Sequence, residues 1–279
     1  MEARLKQGPG EEARQAAGLS PEAPPPSRWT LTTIRATFPQ LTGYSLSGVW
    51  NILQRAGLGL RSARVQMYSP DPAYADKLAH LLSCLHEAAL YPSEEVLLFM
   101  DEMGFYRWPD PGTDWMPAAP QPTQVAPCAD NNRQWRIIGV MNALTGQTNY
   151  LDNYIVGRKQ LIAMYQQIDT LYPDARCIYV AQDNWSIHSH DDVLSALSTL
   201  PRIQPVWLPT YSPWLNPIEK LWRWLRQSVL RLHRLAADWP TLLAHVHAFL
   251  DQFSLGSQDL LRYAGLLGDG HLAKALRVP

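Results

Sequence analysis

The chain has 279 residues, 46% of them apolar and 10% aromatic, which suits one large or two modest packed domains and excludes a disordered or collagen-like chain. Three widely spaced cysteines (Cys84, Cys128, Cys177) exclude a disulfide framework and fit a reduced, intracellular protein. The formal net charge of −1 would by itself exclude a uniformly basic nucleic-acid binder, but it averages over unlike segments. Residues 28–70 hold five arginines (28, 35, 55, 61, 64) and no acid, residues 71–114 hold nine acids against Lys77 and Arg107, and residues 219–234 hold one acid against five bases. Basic segments suit phosphate backbones and clustered carboxylates suit metal ions, although ordinary solvated faces read the same way on charge alone.

In chain order, residues 1–27 are rich in Glu, Ala, Gly and Pro and read as a flexible leader with no core of its own. Leu31, Ile34 and Phe38 recur at helical spacing before Pro39. Ser45 then N-caps a second helix carrying Leu46, Val49, Leu53 and Ala56, which Gly57 ends. Two short helices around a turn fit a helix-turn-helix, or equally any small helical hairpin. As a DNA reader its outer face would offer Ser47, Asn51, Gln54 and Arg55, followed by the basic strip with Arg61 and Arg64.

Residues 72–90 read as an amphipathic connector helix. The apolar run Val96–Met100 predicts a strand covered on both faces. Residues 134–142 and 147–152 flank a turn at 143–146 and predict a hairpin. A helix is expected over 158–171, a strand over 177–182, a helix over 192–200, a strand over 203–208 and a long helix from Asn216 to about His233. Trp239–Phe253 predicts a C-terminal helix. This order gives a mixed α/β fold around a central sheet. No stretch approaches the roughly 18–20 apolar residues that cross a bilayer, and the polar N-terminus has no signal-type segment, so no membrane role is expected.

Three acids stand at places where chemistry is done. Asp101 and Asp183 each follow a predicted strand, and α/β sheets bind ligands beyond the carboxyl ends of their strands. Glu219 falls in the first turn of the helix after the last strand. Divalent cations take several oxygen ligands, and a pair of them can clamp both oxygens of a phosphoryl transfer. Each acid also has an ordinary reading. An Asp after a strand is common turn chemistry, and Asn216-Pro217-Ile218-Glu219 resembles a capping box, with Arg223 one turn on as an ion-pair partner. Glu102 rivals Asp101, but strand neighbours face opposite ways, so only one is expected in the site. His188-Ser189-His190-Asp191-Asp192 could form a metal cluster, but its acids suit a helix first turn. His245 and His247 do not face each other. Trp207, Trp214, Trp222 and Trp224 are read as packing residues. No P-loop or nucleophile-elbow motif occurs.

The motifs themselves favour one reading. Residues 208–222, Leu-Pro-Thr-Tyr-Ser-Pro-Trp-Leu-Asn-Pro-Ile-Glu-Lys-Leu-Trp, closely resemble the third-acid motif of mariner-superfamily transposases, in particular their bacterial insertion-sequence branch. Asp183-Asn184, with His188 five residues after the Asp, resembles the second-acid motif, and Met100–Phe105 resembles the first. The resemblance covers roughly residues 29–250. It implies a ribonuclease H-like catalytic domain over 93–235, between the connector (71–92) and a helical tail (236–279), preceded by a helix-turn-helix DNA-binding region (28–70). It implies two Mg2+ or Mn2+ ions held by Asp101, Asp183 and Glu219, with Asn184 and His188 beside them or on DNA. The implied reaction is cut-and-paste transposition: cleavage at element ends, then 3′-hydroxyl transfer into target DNA, usually at TA. The implied partners are element terminal inverted repeats, target DNA and a second copy of the chain or a larger assembly, in the bacterial cytoplasm. Relatives carry two tandem helix-turn-helix units, whereas this chain has room for one. A repurposed DNA-binding remnant and a ribonuclease H-like nuclease or resolvase are the alternatives.

Overall fold

The structure is a computed structural model that describes residues 1–22, 24, 26, 28–60, 68–113 and 131–268. It divides into two compact units, Met1–Gln66 and Met67–Pro279.

In the first unit α1 (Glu2–Lys6) and α2 (Glu11–Ala16) precede α3 (Leu31–Thr37) and α4 (Leu46–Arg55). The two helices predicted from spacing are present, the second with its predicted caps and the first with a cap the spacing did not indicate. Thr30 closes a capping box with Thr33, Ser45 accepts from the Gly48 amide, and Gly57 takes the left-handed backbone (φ 73°) that ends α4. Ile34, Leu41, Val49 and Leu53 form the core. The segment expected to be a coreless leader departs from that expectation: it carries α1 and α2, buries Ala13 completely and packs Leu5 on the α3–α4 core. Composition misses this because short helices here gain their stability from tertiary contact rather than propensity.

The second unit is built on a five-stranded sheet in the order β3-β2-β1-β4-β5. The strands are β1 (Glu95–Tyr106), β2 (Gln134–Asn142), β3 (Thr148–Asn153), β4 (Cys177–Gln182) and β5 (Ile203–Trp207). β1, β2 and β3 pair antiparallel, while β4 and β5 run parallel to β1. The helices are α5 (Tyr74–Leu90), α6 (Arg158–Leu171), α7 (Asp191–Ser198), α8 (Ile218–Leu225), α9 (Trp239–Asp251) and α10 (Gln258–Ala264). Alternation along β1 assigns its two faces. Leu97, Phe99, Met103 and Phe105 join the core that also holds side chains of α5, α8, α9 and α10. Val96, Leu98 and Met100 join the core that holds α6 and Val193 of α7. Among the described residues no helix is long and apolar enough to cross a membrane.

Three expectations are corrected. β1 does not stop at Met100 but runs to Tyr106, because β2 stays paired with it through Tyr106↔Gln134 after β4 has left it at Phe99↔Ala181. α5 is no mere connector, since Leu81, Cys84, Leu85 and Ala88 are buried in the core with Leu97 and Phe99. The long helix expected to reach His233 is α8 plus a π-helical turn over Arg226–Leu230, after which Leu232 takes a positive φ of 52°. There Arg226 is drawn back to β1, donating to the Gly104 carbonyl and pairing with Asp110.

Candidate active site

Asp101 sits in mid-strand rather than after a strand, two residues beyond the last β1–β4 pair. It therefore still stands at the carboxyl end of the parallel ladder, where a carboxylate has open space on one side. Asp183 follows the last residue of β4, as predicted. Glu219 lies in the first turn of α8. These three acids line one cavity of about 360 Å3, together with Asn184, Asn216 and the segment 208–213. Among the described residues no lysine or arginine lines it. A larger depression of about 890 Å3 is walled by Arg107, Arg133, Trp135 and Tyr154, with no carboxylate among its described lining residues.

The start of α8 is fixed differently from the predicted capping box. Pro217 occupies the N-cap position, and no side-chain cap forms. Asn216 is turned inward, only 5% exposed, and its Nδ2 donates to the carbonyl of Met100 at 3.1 Å. A 3-10 turn over Pro213–Leu215 directs it there. The asparagine thus ties the helix that carries Glu219 to the strand that carries Asp101, and leaves the Glu219 carboxylate out of any capping bond. The expected pairing of Glu219 with Arg223 is not among the described ion pairs, although Arg223 and then Arg226 partly offset the burial that raises the Glu219 pKa.

Trp222 stands one turn after Glu219 and so on the same helix face. Its Nε1 donates to Asp101 Oδ2 at 3.0 Å. The ring lies against Gly139, the cross-strand partner of Asp101; a Cβ there would stand 2.6 Å from Trp222 Cη2. The 208–213 wall is held by Asp71, which accepts from the Thr210 amide at 2.9 Å, and by Asn184, which donates to the Leu208 carbonyl and to Thr210 Oγ1. Tyr211 is 77% exposed on this wall, with a left-handed φ of 54°.

Burial, then the Glu219 carboxylate, push Asp101 up to about 7, against hydrogen bonds from the Glu102 backbone and Trp222 that favour its charged form. Burial and then Asp101 and Asp183 raise Glu102 to about 8. Burial also lowers His188 to about 4, so its ring is neutral. Converging carboxylates with no basic side chain among the described residues of the cavity wall are the donor set of a hard divalent cation, which would hold all three charged. The residues present therefore fit such an ion.

The remaining predicted positions are placed as follows. Ser47, Asn51, Gln54 and Arg55 are exposed on α4 in the first unit, while Arg61 and Arg64 fall outside the described residues. His190 N-caps α7, and Asp191 and Asp192 fill its first turn, the role expected of the acids. His247 Nε2 donates to Asp152 Oδ2 at 2.9 Å. Three functional features escaped the sequence: the Trp222 hydrogen bond, the need for Gly139, and the approach of Glu102 to Asp183 and His188 described below. The spacing of Trp222 from Glu219 was the available signal for the first; nothing local marks the others.

The family model of the DDE superfamily endonucleases matches residues 96–242. An uncharacterized 39 kDa protein of insertion element IS630 from Shigella sonnei is 26% identical over 230 residues, covering 82% of this chain and 65% of the relative. The chain thus spans just under two thirds of that protein's length. Among solved structures, a mariner Mos1 paired-end complex with Mg has a TM-score of 0.59 at 15% identity, covering 99% of this chain and 84% of the other. A Mos1 paired-end complex with Mn has a TM-score of 0.58 at 18% identity, covering 90% and 75%. At these identities the likeness shows the fold, which is the expected ribonuclease H-like arrangement.

Proposed function

The chain belongs to the DDE superfamily of endonucleases, and on that footing we propose that it is a DNA transposase of the mariner and insertion-sequence kind. The observation that carries this reading is the meeting of Asp101, Asp183 and Glu219, from three separate elements, in one cavity with no basic side chain among its described lining residues. In this reading Asp101, Asp183 and Glu219 hold two Mg2+ or Mn2+ ions, which when bound supply the Lewis acidity for water activation and for the departing 3′ oxygen. Trp222 and Asn216 fix the orientation of the first and third acids. Asn184 and Asp71 hold the loop against which a DNA strand would lie. Exposed Tyr211 offers that strand an aromatic face.

The reaction is cleavage at element ends followed by attack of the freed 3′-hydroxyl on target DNA, at TA, by a dimer or larger assembly on paired ends. Ser47, Asn51, Gln54 and Arg55 on α4 contact base edges and phosphates of the terminal repeats. Cleavage and joining of element-end DNA with Mg2+ or Mn2+, compared between wild type and Asp183→Ala, tests the proposal. Loss of both activities in the variant is expected, and equal activity would overturn it. Cleavage of branched DNA without joining would point to a resolvase instead.

A further inference from the structure

Glu102 occupies the face of β1 opposite Asp101, on the side of α6. Asp183, standing off the end of β4, is in reach of both. One ligand atom each of Glu102, Asp183 and His188 lies within 4.8 Å of the other two, so Glu102, which does not line the Asp101–Glu219 cavity, still comes near Asp183 from the other face of β1.

His188 is fully enclosed, its side chain 1% exposed, and its Nε2 stands 3.7 Å from Asp183 Oδ1. That is too long for a hydrogen bond. Its Nδ1 lies 3.4 Å from the hydroxyl of Tyr165, a side chain with no exposure. The Tyr165 hydroxyl donates its single proton to Gln182 Oε1 at 2.5 Å, because an amide oxygen can only accept. The Nδ1 proton of His188 therefore points at Tyr165, and the Nε2 lone pair faces Asp183. Glu102 Oε1 is buried with no hydrogen-bond partner among the described residues. Asp183 Oδ1 already accepts from the Trp185 amide at 2.9 Å, so what the cluster leaves unsatisfied is the buried Glu102 Oε1 beside the His188 Nε2 lone pair, which a cation would satisfy.

We infer that Glu102, Asp183 and His188 form a divalent-cation site of their own, on the α6 side of β1, with Asp183 shared between it and the Asp101–Glu219 cavity. Ligands about 2.1 Å from one ion stand up to roughly 4.2 Å apart, so small side-chain adjustments close the site. Its imidazole favours Mn2+ or Zn2+ over Mg2+. Tyr165 and Gln182 act as positioning residues that fix the histidine tautomer. The inference rests on the reading of Asp183 as a metal ligand, not on the reaction that follows.

Mn2+ titration and pulsed electron paramagnetic resonance of the full chain test it without DNA. Wild type is expected to bind three Mn2+, two in the Asp101–Asp183–Glu219 cavity and a third showing 14N coupling from imidazole. Glu102→Gln, nearly isosteric, should bind one ion fewer and lose that coupling, while Asp101→Asn should keep it. Bound Mn2+ without nitrogen coupling in wild type would overturn the inference while leaving the Asp101, Asp183 and Glu219 assignment standing, as would full stoichiometry and coupling in Glu102→Gln. No Mn2+ binding at all would remove both.

Discussion

The Trp222 indole donates to Asp101 Oδ2 at 3.0 Å across a sheet position where Gly139 leaves room for the ring. A hydrogen bond to a charged group contributes about 1.5–3 kcal/mol, so this bond favours the charged, metal-binding form of Asp101. Trp222→Phe keeps most of the packing and removes the donor. The Mn2+ concentration for half-maximal DNA cleavage should rise about tenfold, with the melting temperature changed by only a few degrees. An unchanged metal requirement would show that the bond is dispensable.

Gly139→Ala places a methyl group 2.6 Å from Trp222 Cη2. Overpacking of this kind costs about 1–3 kcal/mol and should lower the melting temperature by roughly 2–10 °C. In the Trp222→Phe background the added methyl meets a shorter ring, so the double variant should lose less than the two single losses together. Thermal denaturation of the four proteins measures this coupling; simple additivity would place the strain elsewhere.

Without metal, stability should depend on pH in a defined direction. Asp101 and Glu102 have folded pKa values near 7 and 8, above their ordinary values of 3.8 and 4.5. Between about pH 4 and 8 the unfolded chain releases these protons before the folded one does. Stability contributed by the protonated acids is complete below pH 4 and is lost as pH rises through 7 and 8. His188, lowered from 6.5 to about 4, acts oppositely, its contribution fading as pH falls from 6.5 through 4. In chelator the melting temperature should therefore fall from pH 6 to 8.5, and Mn2+ should restore it most at the alkaline end. An equal Mn2+ effect at both ends would contradict the assignment of these acids.

Asn216→Ala removes the bond from the start of α8 to the Met100 carbonyl. A lost buried bond costs about 1–3 kcal/mol, but the larger effect should fall on cleavage, because the spacing of Glu219 from Asp101 depends on it. Cleavage should drop by about ten- to a hundredfold at a temperature where circular dichroism shows the variant folded. A loss of stability alone would reduce Asn216 to a packing residue.

Arg55 is exposed on α4. If it contacts a phosphate, Arg55→Ala should weaken DNA binding across sequences and reduce the slope of log affinity against log salt by about 1. An unchanged slope would remove Arg55 from the interface.

Much of this was legible before any coordinates, for identifiable reasons. β1 reads as an apolar run, β2 and β3 follow from the turn between them, and the caps at Ser45 and Gly57 follow from local chemistry. The cavity acids can be found because each belongs to a motif and the three occur in order, the one around Glu219 about fifteen residues long. Asn216 was misread because a side chain that can cap a helix can equally reach across to a neighbouring strand, and only tertiary packing decides. The extension of β1 to Tyr106 was hidden because Asp101, Glu102 and Gly104 break the apolar run while the backbone ladder with β2 continues. The Tyr165–Gln182–His188 chain joins α6 to β4 and the turn after it, a connection with no local trace in sequence.

The β1–β4 ladder ends at Phe99↔Ala181, and that termination sets what kinds of change the centre tolerates. The 208–215 stretch ahead of α8 is held in place by Asp71 and Asn184 and lines the cavity, so a length change there would move the wall and Asn216. A single residue inserted in β1 ahead of Asp101 is different in kind. It would exchange the faces of every side chain beyond it, turning the first acid away from Trp222 toward the imidazole and its neighbour the other way. Descent of the centre is therefore constrained by parity in one strand as well as by length in that stretch.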